Sequence, residues 1–252
     1  MMQPFPSLDV QNGVLRAWWI DPMVATVAFG IFINWYWYHE RRLGLSSSTS
    51  FRETIGVELG PLWSSLVAYW AGIVFWKLVI PPAATEIPDG LPTDVMGGLY
   101  LLLEVVSGIV LYDFVMFFLH WAMHEVPLLR SWHHRHHAFE GRLESRDTLR
   151  HSLVDGSLQV LVNIMVQRHT PWGLVKSRLA RVCHNMLVIW MLVESHTSSP
   201  TPYIWRKHFV GIREHHNHHL GSQYSRHQQF FGYLDDLRLA WSSYRVSIAS
   251  RP

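Results

Sequence analysis

The histidines of this chain are concentrated in three short clusters whose spacing suits a metal site. Of 17 histidines in 252 residues, eight fall into these clusters: His120 and His124; His133, His136 and His137; His215, His218 and His219. On a helix, positions i and i+4 lie about 40° apart and positions i and i+3 about 60° apart, so each cluster presents its imidazoles on one face. Imidazole is the commonest protein ligand of iron, zinc and copper. Eight such ligands exceed what one ion holds, so the clusters predict two metal ions.

One acidic residue is placed to support these ligands. Asp113 lies seven residues before His120, about 20° away on the same helix face. Metal-bound histidines usually donate their second ring N–H to an acceptor, and we predict that Asp113 is one. An aspartate that faces the polar protein interior is the alternative. His134 and His216 point about 100° away from the ligand faces and are predicted not to bind metal. The isolated histidines are predicted to be surface or core residues: His39, His169, His184, His208 and His227.

Apolar segments before the clusters predict a membrane protein. Only 16% of the residues are charged, against about 25% in an average soluble domain. Residues 22–38, 59–76 and 95–119 are candidate transmembrane helices, close to the roughly 20 residues that cross a bilayer. Two shorter apolar segments, 153–166 and 182–193, are joined by a basic connection. We expect them to form a hairpin that lies in or dips into the membrane interface, with two short core helices as the alternative.

The distribution of positive charge orients the protein. With three spans and a hairpin that does not cross, all of the 21 Lys and Arg residues except Arg16 and Lys77 lie on one side. Positive charge marks the cytoplasmic side of a membrane, so the histidine clusters are predicted to face the cytoplasm.

Several classes of protein are disfavoured by composition. The single cysteine, Cys183, supports neither an internal disulfide nor an iron–sulfur cluster, and no glycine-rich dinucleotide motif occurs. Redox chemistry would therefore take its electrons from a separate protein. No dense run of Lys and Arg indicates nucleic acid as a partner.

The order of motifs resembles the fatty acid hydroxylase/sterol desaturase superfamily of membrane di-iron enzymes. The resemblance begins at Asp113 and runs through the first two clusters, with Pro127 and Leu128 between them. The third cluster, followed by Phe230 to Asp235, is similar to the last box and the phenylalanine–glycine–tryptophan–aspartate tail of that family. Leu234 stands where the tail usually has tryptophan. Residues 148–151 and His196 match further family positions, and the resemblance covers residues 112–237.

The resemblance implies an all-α fold. An integral membrane base of three to four transmembrane helices would lie beneath a cytoplasmic, His-rich helical cap. The division of the chain is then residues 1–111 for the transmembrane region, 112–240 for the catalytic domain, with the interfacial hairpin at 153–195, and 241–252 for the tail. Two irons would be held by the eight cluster histidines together with His196 and His151. Some relatives have a further histidine where this chain has Leu192, so the tenth ligand stays open among His151, His184 and water.

The implied activity is an O2-dependent hydroxylation of an unactivated C–H bond in a lipophilic substrate such as a sterol, a terpenoid, another lipid or a biosynthetic intermediate. A desaturase or methyl oxidase of the same superfamily is the nearest alternative, because the ligands are shared. The implied electron donor is a b-type cytochrome with its reductase, or a ferredoxin. The implied location is the endoplasmic reticulum membrane in a eukaryote or the inner membrane in a bacterium. A His-rich metal transporter and a structural membrane protein with an inactive site are the alternatives from other classes.

Overall fold

The structure, a computed structural model, describes residues 20–45, 59–80, 91–137, 142–198, 210–220 and 226–249. Within these residues the secondary structure consists of eight α-helices and a short 3-10 helix, so the predicted all-α fold is confirmed. The α-helices are α1 (Ile20–Arg42), α2 (Leu59–Val79), α3 (Val95–Glu125), α4 (Pro127–His137), α5 (Leu153–Arg168), α6 (Arg178–His196), α7 (Val210–His219) and α8 (Tyr233–Ala249). The 3-10 helix is Ser145–Leu149.

The helix α3 carries the first histidine cluster at its C-terminal end. Asp94 caps its N-terminus by accepting a hydrogen bond from the Gly97 backbone N–H at 2.7 Å. The 31 residues of α3 extend about 46 Å, and an 18-residue window reaches a mean hydropathy of 2.1. Among the described residues it is the one helix long and apolar enough to cross a membrane. Pro127 then opens α4, which turns the chain just beyond the first cluster.

The outer surfaces of the long helices are apolar. On α3, large hydrophobic side chains are exposed at helical spacing from the N-terminal turn to the first cluster: Leu99, Leu102, Leu103, Val106, Val110, Phe114, Phe118 and Trp121. Exposed side chains on α1 and α2 are also apolar: Met23, Val27, Ile31 and Trp35; Val67, Trp70, Val74, Phe75 and Leu78. Apolar surface of this extent is typical of contact with lipid. That α1 and α2 cross the bilayer beside α3 stays a prediction.

The helices α5 and α6 form the hairpin that the sequence predicts, and it packs lengthwise along α3. At the hairpin turn, Trp172 Nε1 donates to the Tyr100 hydroxyl at 3.2 Å, and Ser177 Oγ donates to Glu104 at 2.6 Å. Glu104 lies 16 residues, or about 24 Å along the helix, from His120 at the other end. The hairpin turn therefore lies at the same level along α3 as Glu104, far from the histidine clusters. The depth of the hairpin in a membrane stays a prediction.

The first two helices cover the other side of the hairpin. Trp76 Nε1 of α2 donates to the Ser157 carbonyl of α5 at 2.9 Å. On α6, Trp190 Nε1 donates to the Tyr36 hydroxyl of α1 at 2.9 Å, and this hydroxyl lies 3.2 Å from a Glu194 carboxylate oxygen. The hairpin is thus enclosed by α1 and α2 on one side and α3 on the other. This packing fixes the C-terminal end of α6, and with it His196, beside the histidine clusters.

Candidate metal centre

Four helix ends bring eight histidines together. They come from the C-terminal turns of α3, α4, α6 and α7, and they form two groups in which the ligand nitrogens lie within 4.8 Å of one another. The first group is His120, His124, His137 and His218; the second group is His136, His196, His215 and His219. Six of the eight are buried and the other two, His124 and His137, are half-buried. Seven of the eight belong to the three clusters of the sequence, and the eighth is His196.

The nitrogens in each group have the spacing of ligands around one ion. Two nitrogens that each lie about 2.1 Å from a shared ion are about 3.0 to 3.4 Å apart for bond angles between 90° and 109°. In the first group, His124 Nε2 lies 3.2 Å from His120 Nε2 and 3.0 Å from His218 Nε2. In the second group, the Nε2 atoms of His215 and His219 are 3.0 Å apart. The two groups therefore fit the metal ions that the sequence predicts.

Backbone carbonyls select the ring nitrogen that faces the centre. The Nδ1 atom of His120 lies 2.7 Å from the His227 carbonyl oxygen, and that of His136 lies 3.2 Å from the Arg150 carbonyl oxygen. His196 Nδ1 is 2.7 Å from the Leu192 carbonyl oxygen one helical turn earlier. A carbonyl oxygen only accepts, so each Nδ1 carries the proton. The Nε2 lone pair of each ring is then left for a metal ion.

The two groups adjoin each other. The rings of His137, in the first group, and His219, in the second, are stacked with centroids 4.5 Å apart. The rings of His120 and His215 are 5.4 Å apart across the same boundary. Ions held by the two groups would be neighbours in one centre, as in two-metal sites.

The other two predicted ligands, His133 and His151, lie beside these groups. His133 Nε2 is 3.1 Å from His137 Nε2, which leaves it available to the first group. His151 stacks on His136 at 4.3 Å between centroids. Its Nδ1 atom lies 3.4 Å from Gln159 Nε2 and 3.5 Å from an Asp155 carboxylate oxygen. His151 therefore packs against a ligand of the second group with its Nδ1 already engaged.

Asp155 supports the centre, although it was not among the predicted site residues. Its carboxylate is buried and lies 3.1 Å from His133 Nδ1. Ser152, the N-cap of α5, accepts from the Asp155 backbone N–H at 3.1 Å and so fixes its position in the first turn. The signal in the sequence was the cap residue followed three positions later by a carboxylate, four residues after His151.

Replacing Asp155 with asparagine is expected to weaken metal binding about 10- to 100-fold, the usual effect of losing a partner of a ligand histidine. The amide keeps the size of the side chain, and the Ser152 cap uses only the backbone of residue 155. The measurement is metal retention against a competing chelator. Asp236→Asn, an exposed carboxylate on α8, is the matched control. Equal retention in both variants would contradict the support assigned to Asp155.

Asp113 is placed differently from the prediction that it accepts an imidazole N–H. Its carboxylate accepts backbone N–H donors from Gln229 at 3.1 Å, Phe230 at 2.8 Å and Phe231 at 3.3 Å. The Gln228 side-chain amide also donates to it, at 2.5 Å. An irregular segment has no internal partners for its N–H groups, so these donors occupy the carboxylate in place of a histidine. Asp113 acts on the centre through this segment, which includes the His227 carbonyl that accepts from His120.

A second buried carboxylate holds the same segment from the other side. Asp235 accepts the backbone N–H of His227 at 2.9 Å and that of Gln228 at 2.7 Å. Residues 227–231, here called the clamped segment, therefore lie between Asp113 of α3 and Asp235 of α8. Asp235 lies in the tail motif that resembles the family, but its hydrogen-bond partners become evident only in the folded structure.

The isolated histidines differ in burial and in distance from the centre. His227 is buried beside the first group, where the sequence predicted only a surface or core residue. His184 is buried away from the centre, with Nε2 3.2 Å from Asn163 Oδ1, so it is not placed as the tenth ligand. His169 is exposed, and so is His134 of α4, which was predicted not to bind metal. His208 lies outside the described residues.

Burial keeps the histidines of the centre neutral. It is the largest cause that lowers the pKa values of His136, His215 and His219 well below the usual range, and neighbouring histidines lower them further. Burial also lowers the pKa of His227 to about 4, with Arg238 contributing. Neutral rings at pH 7 have the lone pairs that metal binding requires.

The metal-free protein is expected to lose stability as the pH falls below about 6.5, the pKa of an unperturbed histidine. Below that pH the unfolded chain binds protons that the buried rings do not, so unfolding is favoured. Each such ring contributes a slope of up to about 1.4 kcal/mol per pH unit. Thermal unfolding of metal-free protein between pH 7.5 and 5.5 measures this. A melting temperature that does not fall over this range would contradict the burial of neutral rings.

A narrow cavity adjoins the second group. His136 and His196 line it together with apolar side chains of α1, the 3-10 helix and α6: Phe29, Leu149, Val188, Ile189 and Leu192. Polar residues on its walls include Tyr112, Thr148 and Gln229. The cavity therefore combines apolar walls with several hydrogen-bonding side chains next to a metal group, as substrate sites usually do.

Comparison with known proteins identifies one family. The fatty acid hydroxylase family model matches residues 105–238, which is just over half of the chain and includes every histidine of both groups. No curated protein and no solved structure gives a match to the chain.

Proposed function

Because the chain belongs to the fatty acid hydroxylase family, we propose that it is an O2-dependent di-iron enzyme that hydroxylates an unactivated C–H bond of a lipophilic substrate. The observation that supports this most strongly is the pair of adjoining four-histidine groups. Their nitrogens have metal-ligand spacing, and they lie at the end of a helix apolar enough to cross a membrane.

The two groups would hold one iron each, with His133 and His151 beside them. An iron pair bound there supplies the electron transfer and O2 activation that oxidation of a C–H bond requires. The protein contributes the geometry: carbonyls and Asp155 fix the rings, and burial keeps them neutral. Imidazole binds iron, copper and zinc alike, so the ligands alone do not select the metal. The choice of iron rests on the family to which the chain belongs.

The cavity beside the second group is the proposed substrate site. Its apolar walls would exclude water and bind a hydrocarbon portion, which places a C–H bond next to His136 and His196. Gln229 Oε1 is buried with no hydrogen-bond partner among the described residues, and its residue lines this cavity. It would accept a hydrogen bond from a polar group of the substrate and so orient the molecule. The exposed apolar face of α3 favours substrate entry from the bilayer.

We also propose an electron donor and a cellular location for the protein. The proposed electron donor is a separate protein, either a b-type cytochrome with its reductase or a ferredoxin. The membrane would be the endoplasmic reticulum or a bacterial inner membrane, with the centre on the cytoplasmic side. Even when the four basic residues of the hairpin turn are counted on the other side, 15 of the 21 Lys and Arg residues lie on the side of the centre.

A desaturase or methyl oxidase would use the same histidines. These reactions differ in how the cavity presents the substrate, so the products of the reaction, and not the ligands, distinguish them.

The test is made on detergent-purified protein loaded anaerobically with ferrous iron. We expect two irons per chain and O2 consumption with a chemical reductant. With ¹⁸O2 and a membrane lipid extract, we expect ¹⁸O-labelled alcohol products from a lipid. A single zinc that ferrous iron does not displace, or uptake of metal into proteoliposomes without O2 consumption, would overturn the proposal in favour of a structural or transport protein. An alkene product without ¹⁸O would assign desaturation instead.

A further inference from the structure

His227 is held rigidly by its own backbone. Its N–H donates to the Asp235 carboxylate, with 2.9 Å to each oxygen, and its carbonyl accepts from His120 Nδ1 at 2.7 Å. These bonds fix the residue between α8 and a ligand of the first group. None of them uses the imidazole ring, so these bonds fix the position of the ring and leave its two nitrogens unused.

The ring of His227 lies against three of the four histidines in the first group. Its centroid is 5.2 Å from that of His124 and 5.7 Å from those of His120 and His218. The rings of those three histidines are themselves 4.6 to 4.9 Å from one another. His227 is therefore the next imidazole outward from an arrangement that already has ligand spacing.

The ring also has an unsatisfied nitrogen. His227 is 2% exposed, and its Nδ1 atom is buried with no hydrogen-bond partner among the described residues. A buried polar atom without a partner costs about 1 to 3 kcal/mol, so it needs an explanation. A metal ion that takes a ring lone pair would supply the missing partner.

We propose that His227 is an additional imidazole ligand of the metal ion held by the first group. The inference rests on the proposed function in one respect, that the first group binds metal. It assigns a ligand from the clamped segment, outside the three clusters. Ferrous iron accepts more than five ligands, so the four histidines of the group, even with His133 beside them, leave room for His227.

The clamped segment explains how a residue outside any helix becomes a ligand. Asp113 and Asp235 hold the segment on both sides, which gives the ring of His227 the fixed geometry that helix ends give the other histidines. In the second group the corresponding neighbour is His151, whose Nδ1 faces Asp155 and Gln159. The two ions would thus have different surroundings.

The experiment is a Co(II) titration of metal-free full-length protein, comparing wild type with His227→Ala, His227→Gln and, as control, His169→Ala. Wild type and control are expected to bind two Co(II) ions. In both His227 variants, one of the two ions should bind about 100-fold more weakly, because losing an interaction at a metal site commonly lowers metal affinity by up to about that factor. Its visible absorption should also intensify, because Co(II) absorbs more strongly at lower coordination number. Added free imidazole should restore the spectrum of His227→Ala.

The outcomes separate this inference from the proposed function. Variants with wild-type affinity and spectrum would overturn the role of His227 and leave the metal centre intact. Weaker binding that free imidazole does not restore, with the spectrum of the bound ion unchanged, would show that the ring only supports the structure, and would also overturn it. A wild-type chain that binds fewer than two ions would count against the proposed function itself.

Discussion

Replacing His219 with alanine is expected to release one of the two metal ions of the proposed centre and to abolish the proposed O2-dependent oxidation. His219 is buried in the middle of the centre. Its ring lies 4.5 Å from His136 and 4.6 Å from His196 within the second group, and it stacks on His137 of the first group. Its Nε2 is 3.0 Å from that of His215. Alanine removes a ligand and leaves space between the groups, so the second ion loses its site.

The measurement is metal content by mass spectrometry after gel filtration, together with O2 consumption. His134→Ala is the matched control, since His134 is an exposed histidine on the same helix as three of the predicted ligands. The control should retain both ions and full O2 consumption. Two tightly bound ions in His219→Ala would mean that the second group is not a metal site.

The spacing of histidines was sufficient to predict the faces of the centre but not the membership of each group. Positions i, i+3 and i+4 on α4 and α7 do bring their imidazoles to one side. Yet His136 and His137, adjacent in sequence, lie in different groups, while His136 and His196 lie 3.3 Å apart between Nε2 atoms in the same group. That division depends on how α6 packs against the other helices, which no local pattern contains.

The supporting residues were harder to predict for a related reason. Asp113 was recognised from its helical face, but its partners are backbone N–H groups of an irregular segment more than 110 residues later in the chain. Asp155 and His227 belong to no cluster, so their types and spacing resemble those of ordinary polar residues. The apolar segments 153–166 and 182–193 also did not give the full length of the hairpin helices, which extend beyond those segments to Arg168 and back to Arg178.

The second large effect is expected from Asp113→Asn, which should both destabilise the protein and weaken the first metal site. The Asp113 carboxylate accepts four hydrogen bonds from the clamped segment. An asparagine amide would turn one acceptor oxygen into a donor that faces other donors. Leaving a buried donor of this kind without its acceptor costs about 1 to 3 kcal/mol.

The loss should pass to the metal through the clamped segment. When residues 228–231 loosen, the His227 carbonyl no longer holds His120 Nδ1, and the ring of His120 is free to rotate away from its group. Asp236→Asn is the control, because this carboxylate is exposed and its ion pair with Arg226 contributes about 0 to 1 kcal/mol. The measurements are thermal unfolding and the chelator concentration that removes each ion. We expect Asp113→Asn to unfold at a lower temperature than wild type and to release one ion far more readily than the other. Release of both ions at the same chelator concentration would mean that the clamped segment supports the whole centre and not the first group alone.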